Sequence, residues 1–185
     1  GKDGTAYLVQ SERLWKKTVE TFWRDGKFLH GKIDGRLTGE VTRYANMFAV
    51  LYGFADEKMR EDIWKNVLGN PKIQQITTPY MKFYELKTMA EYGRFDEIMD
   101  EIRCYWGMLD SGATTFWETF DPTEKGLEKY AMYGRKYGKS LCHAWGASPV
   151  YLIAAYIIGI QPEKNSFKCR PKLGVLPPFR FACPT

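Results

Sequence analysis

The chain is predicted to be all-α, on three observations. Apolar residues recur at the 3.6-residue helical period through most of the first 160 positions, from Leu8 to Ile158. Gly, Asp and Pro stops separate these periodic stretches at short intervals, so they read as helical hairpins in sequence. No βαβ rhythm appears, and no strand is followed by a Gly-rich phosphate loop.

Tyr7 to Asp25 is the first predicted helix, with Leu8, Trp15, Val19 and Phe22 in one stripe and Gly26 as its stop. Lys27 to Leu37 reads as a charged, Gly-rich loop. Thr38 is the expected N-cap of a helix over Glu40–Phe54, whose face is Val41, Tyr44, Ala45, Phe48 and Tyr52, widened by Met47, Val50 and Leu51. So apolar a helix is expected to lie inside others. Asp56 caps Glu57–Leu68, and Gly69-Asn70-Pro71 ends it.

Thr78-Pro79 is a cap followed by proline at the first helical position. It opens Pro79–Tyr92, with Phe83, Leu86, Met89 and Ala90 on one side. Phe95–Leu109 has the most regular period: Phe95, Ile98, Met99, Ile102, Trp106 and Leu109 keep register over four turns, and Asp96 and Glu97 suit the dipole at its start. Asp110-Ser111-Gly112 stops it. Asp121–Lys139 is polar and at best partly helical, whereas Pro149–Ile158 is nearly all apolar and reads as a fully buried helix. Beyond Gln161 the prolines 162, 171, 177, 178 and 184 exclude long helices and leave strands or extended tail.

Composition narrows the function classes. A length of 185 residues fits one domain or a piece of a larger one. A net charge of +5 with scattered lysines and arginines lacks the dense basic face of a nucleic-acid binder; the small cluster Arg135, Lys136 and Lys139 reads as solvated surface. The longest apolar run, Ala147 to Ile160, is too short to span a bilayer, so no membrane partner is expected. Cys104, Cys142, Cys169 and Cys183 have no CxxC spacing and only two histidines accompany them. No metal or other cofactor is therefore expected, and the cysteines are taken as reduced and mostly buried. No signal peptide opens the chain, but it begins at Gly1 rather than Met, which leaves cytoplasmic, periplasmic and secreted locations all open.

Chemistry concentrates in two short segments, Gly112–Glu118 and Ser140–Trp145. Each follows or precedes a helical stretch and sets an ionisable side chain beside tryptophan. The aromatic share of 16% is high, and aromatic rings pack against the apolar faces of sugars while carboxylate and imidazole bind hydroxyls or move protons. A carbohydrate is the expected ligand. The same residues could equally serve as helix caps and packing.

Five motifs come in a familiar order: Thr78-Pro79-Tyr80, Ala90-Glu91-Tyr92-Gly93-Arg94, Trp106-Gly107, Gly112–Glu118, and Cys142-His143-Ala144-Trp145 followed by Pro149. Together they resemble the catalytic domain of bacterial α-L-rhamnosidases, the six-hairpin (α/α)6-barrel glycoside hydrolases, from about Glu40 to Ile160. The resemblance implies part of such a barrel over residues 1–160 and, over 161–185, the start of a following β-sandwich or an extended tail. It implies an inverting hydrolysis with Glu118, in Thr-Thr-Phe-Trp-Glu, as general base and His143, in Cys-His-Ala-Trp, contacting the sugar. Trp117, Trp145, Tyr80 and Trp106 are the further candidate sugar-binding residues. In that family the general acid lies upstream of the motifs present here, and a twelve-helix barrel needs far more than 185 residues. The expected unit is thus a later portion of a barrel, inactive alone and prone to homo-oligomerise through uncovered apolar helix faces. The alternative is a non-catalytic helical-repeat module binding a glycan or a protein partner.

Overall fold

Helices and tight hairpins account for most of the regular structure in the computed structural model, which describes residues 4–172. The chain falls into two compact units, divided between Gln75 and Ile76.

In the first unit, α1 (Thr5–Phe22) stops three residues before the expected Asp25. The reason is Asp25-Gly26, whose φ angles of 49° and 73° make a two-residue turn that reverses the chain. That turn pairs β1 (Trp23–Arg24) with β2 (Lys27–Phe28). Asp34-Gly35, with φ of 49° and 76°, does the same for β3 (Lys32–Ile33) and β4 (Arg36–Leu37). The stretch expected to be a plain loop is therefore built from hairpins, and Asp-Gly is the dipeptide that favours such turns. Phe28 is buried beneath Trp15 and Trp23, whose rings lie 5.4 and 4.8 Å from its own.

Helix α2 covers Arg43–Leu51, shorter than the expected Glu40–Phe54, and its N-cap position is Thr42, not Thr38. Its buried residues are Arg43, Asn46, Met47, Ala49 and Val50, while Tyr44 and Tyr52 of the expected inner face are exposed. Two polar residues could turn inward because both are satisfied there. Arg43 donates to the carbonyls of Leu68, Asn70 and Gln74 at 2.9, 3.2 and 3.2 Å. Asn46 exchanges two hydrogen bonds with the backbone of Phe28, at 2.9 and 3.0 Å. Helix α3 (Glu57–Ile63) runs on as a π-helical turn over Trp64–Leu68, so the predicted span holds. Asp56 caps it as expected, accepting from the Met59 N–H at 2.8 Å.

The second unit holds α4 (Pro79–Glu91), α5 (Phe95–Cys104), α6 (Trp106–Asp110) and α7 (Ser148–Leu152), with a π-helical turn over Ile153–Ile157 continuing α7. Helix α4 packs against both α5 and α7. The single helix expected over Phe95–Leu109 breaks at Tyr105. Tyr105 continues the buried side of Ile98 and Ile102, with Met108 beyond it, whereas Trp106 and Leu109 of the expected stripe are exposed. The apolar stripe of α4 shares its buried side with Lys82, Glu85 and Thr88. Lys82 Nζ lies 2.8 Å from Glu85 and 3.8 Å from Glu101, a buried charge cluster that no apolar period announces.

Two further expectations need correcting. The stretch Pro149–Ile158 is not fully buried: Pro149, Leu152 and Ile157 are, whereas Val150, Tyr151 and Ile158 are exposed, because one stripe of the helix meets α4. Cys142 and Cys169 are exposed rather than buried, with Cys104 half-buried; all three are free thiols, and Cys183 lies outside the described residues. The tail reading holds for its described part, where β5 (Ile160–Pro162) pairs antiparallel with β6 (Phe167–Cys169). Among the described residues no helix is long and apolar enough to cross a membrane.

Candidate functional site

The two chemistry-bearing segments meet. Glu118 N–H donates to the Ser140 carbonyl and His143 N–H to the Phe116 carbonyl, both at 2.8 Å. The two backbones thus run antiparallel, with Glu118 and His143 on facing segments. Thr115 Oγ1 adds a bond to the Leu141 carbonyl at 2.5 Å. Beyond Glu118, Phe120 N–H donates to the Thr77 carbonyl at 2.9 Å, which ties the motif to the residues just before α4. A close approach completes the seat. A Cβ on Gly146 would lie 2.8 Å from Phe116 Cβ and 3.3 Å from the Trp117 carbonyl oxygen, so this position accepts no side chain without movement.

Glu118 is fastened at both carboxylate oxygens. Tyr133 Oη donates to Oε1 at 2.5 Å and the Ser140 N–H to Oε2 at 3.1 Å. The Tyr133 hydroxyl, and after it the Ser140 amide, hold the carboxyl below the usual carboxylate range; the charges of His143 and Lys139 assist and partial desolvation opposes. Reciprocally, the bond to Glu118 pushes the Tyr133 phenol up. A carboxyl so held stays ionised at neutral pH: it can accept a proton and cannot serve as a resting proton donor.

Beside it stands an aromatic cluster. The Tyr80 ring lies 5.4 Å from His143 and stacks on Trp145 at 5.9 Å, and His143 and Trp145 are 6.3 Å apart. Trp145 is 77% exposed. Tyr80 and Trp145 also line a cleft of about 520 Å³ with Tyr84, Ser148 and Tyr151. His143 Nε2 and Ser148 Oγ are shielded from solvent without a hydrogen-bond partner among the described residues. Unmet polar atoms of this kind are rare in folded proteins and are satisfied by a ligand or a small reorientation.

Three of the candidate sugar-binding residues, Tyr80, His143 and Trp145, are therefore brought together, next to the loop that carries Glu118. The other two are not. Trp117 is 2% exposed and packs with Tyr105, Met108 and Phe120, so it supports Glu118 from the core instead of facing a ligand. Trp106 is 65% exposed on α6 and lines a separate apolar groove with Leu109, Phe116 and Val150. Asp121 caps its own turn, accepting from Thr123 N–H at 2.8 Å and Thr123 Oγ1 at 2.6 Å. Lys139 is not solvated surface: its side chain is 1% exposed and paired with Glu124 at 2.9 Å.

Sequence reasoning missed Tyr133. The available signal was Tyr133-Gly134 in a polar loop, a dipeptide that can form a tight turn, but nothing in it says where the phenol points. Among the described residues no group of three or more His, Cys, Asp or Glu is placed to hold a metal ion.

With this geometry in place, the chain can be compared with known proteins. No protein-family model matches it, and no curated protein matches it significantly. Among solved structures it is similar to the GH78-family rhamnosidase of Bacillus sp. GL1, with a TM-score of 0.70 and 26% identity over 85% of this chain. The chain spans 17% of that protein's length. The fold is thus glycoside-hydrolase-like, mainly helical with a few short strands.

Proposed function

We propose that this chain is the general-base portion of an inverting glycoside hydrolase with a six-hairpin barrel, acting on terminal α-L-rhamnose. The observation that carries the reading is Glu118, a carboxyl group hydrogen-bonded at both oxygens beside the Tyr80–His143–Trp145 cluster. Glu118 takes a proton from the water that attacks the anomeric carbon. Tyr80 and Trp145 pack against the apolar face of the sugar, His143 binds a hydroxyl, and Trp117 keeps the base in place from below. Inversion needs a second carboxyl roughly 6.5–9.5 Å from the first, on the other face of the sugar. That acid comes from outside the described residues, as does the rest of the barrel.

A substrate whose leaving group departs without a proton separates the base from the acid. The chain, inactive on glycosides that need the missing acid, should still hydrolyse α-L-rhamnosyl fluoride, and Glu118→Gln should slow that turnover by at least about 10²-fold with the fold unchanged. Equal rates for the variant and the parent chain would remove Glu118 from the mechanism. The apolar groove of Trp106, Leu109 and Val150 carries the associated proposal that copies of the chain associate. A strictly monomeric species in light scattering would overturn that part.

A further inference from the structure

We propose that Tyr133 is a positioning residue for Glu118, kept at the tip of the 122–139 loop at a cost to local backbone stability. The inference rests on reading Glu118 as the base and adds a residue to that machinery.

The turn that carries Tyr133 is the observation. Met132 and Arg135 exchange two backbone hydrogen bonds, at 2.9 and 3.0 Å, around Tyr133 and Gly134, whose φ angles are 53° and 70°. Positive φ at both central residues is what a two-residue type I′ turn requires, and Asn or Asp is the favoured first residue because its short side chain tolerates the left-handed region. The chain obeys this elsewhere: Asp25-Gly26 and Asp34-Gly35 make the same kind of turn. Among the described residues Asp25, Asp34 and Tyr133 are the three non-glycine positions with positive φ, and Tyr133 alone is bulky. Nor does burial explain it, since Tyr133 is 71% exposed. Its phenol instead reaches back 15 residues to Glu118 Oε1.

The loop is braced to hold that reach. A Cβ on Gly138 would lie 2.1 Å from the Met132 carbonyl oxygen, so the returning strand passes directly against the turn. The pair of the buried Lys139 with the half-buried Glu124 and the bond from Lys139 N–H to the Tyr130 carbonyl fix the base of the loop. Ser140, the next residue, supplies the second bond to Glu118. The loop therefore grips the carboxylate from both ends, and Tyr133 selects one orientation of it. An energetically unfavourable backbone position that serves one hydrogen bond to a reactive group is the pattern found at functional sites.

The test titrates Glu118 itself. Carboxyl-carbon NMR of the chain with labelled glutamate, assigned through Glu118→Gln, reads the ionisation without substrate. The charged and titratable groups facing Glu118 are His143, Lys139 and Tyr133, with Tyr80 close to Tyr133. Tyr133→Phe should move the Glu118 midpoint upward, since the donor that favours the ionised form is gone. Tyr133→Asn should move it the same way. In a Glu118→Ala background, where there is no carboxylate to grip, Tyr133→Asn should raise the Tm by about 2–4 °C, because the turn gains its preferred residue. A loss of Tm from Tyr133→Asn in that background would show that the phenol serves stability by other contacts, and a Glu118 midpoint unmoved in either single variant would show that it does not hold the carboxylate. Each of these outcomes overturns the proposal. Should Tyr133→Phe fail to fold, Tyr133→Asn decides. A chain that shows the titration shift yet never turns over the rhamnosyl fluoride keeps this inference and loses the function proposed above.

Discussion

Glu101 and Glu118 belong to the same unit and have opposite surroundings. Glu101 sits on α5 near the buried Lys82–Glu85 pair, where burial first, and the like charge of Glu85 after it, push its carboxyl up against the opposing pull of Lys82. Glu118 sits on a loop, where hydrogen bonds from Tyr133 and Ser140 hold it down. The helical layer thus handles charge by pairing it away from water, a structural solution. The loop layer keeps a charge near water and fixes its direction, which is what a proton acceptor needs. The pair teaches that burial governs titration at one carboxylate and aimed hydrogen-bond donors govern it at the other.

The largest break in this comparison comes from Glu118→Gln. It should lower turnover of the rhamnosyl fluoride by about 10²–10⁴-fold while far-UV circular dichroism and Tm stay near the parent values. The counterpart in the helical layer is Lys82→Met. Removing the cation takes from the buried Glu85 its ion pair at 2.8 Å, and denaturant titration should report a loss of about 3–5 kcal/mol. Lys82→Met combined with Glu85→Leu should recover most of it, because neither charge then needs a partner.

Gly146→Ala sharpens the contrast by disturbing the loop layer alone. The new methyl meets Phe116 Cβ and the Trp117 carbonyl, so stability should fall by about 1–3 kcal/mol and turnover with it, while the α4–α5 contacts stay intact. The smallest effect lies in pH dependence and has opposite signs at the two carboxyls. Glu101 is raised on folding, so its contribution is fully present below its unfolded pKa and lost as pH rises through the folded value. Glu118 is lowered, so its contribution is present above its unfolded pKa and lost as pH falls through the folded value. Relative to the parent chain, Glu101→Gln should therefore gain stability as pH rises and Glu118→Gln should gain as pH falls. Parallel pH curves for the two variants would erase the distinction.

Some of this was legible in the residues. Asp56 as a cap, the span Glu57–Leu68 and the start at Thr78-Pro79 depend on local chemistry, on which side chain can reach which amide and on where proline is tolerated, and all three hold. The inner face of α2 was legible at Met47 and Val50 but not at its polar members, because Arg43 and Asn46 turn inward only when carbonyls from residues 28 and 68–74 converge on them. Nor was the exposure of Trp106. A periodicity count puts Trp106 and Leu109 on the stripe of Ile98 and Ile102, but the covered side runs through Tyr105 and Met108, and which edge of a stripe is covered depends on what packs against it.

By itself the sequence determined that the chain is mainly helical, where several helices begin, and that a carboxylate and an imidazole stand beside tryptophans on two loops. These depend on interactions within a few residues. Tertiary structure decided that the two loops pair, that Trp117 lies in the core while Trp145 faces outward, and that Tyr133 grips Glu118. Those outcomes depend on which backbones lie side by side after the chain has folded, and an indole or a phenol carries no mark of that beforehand.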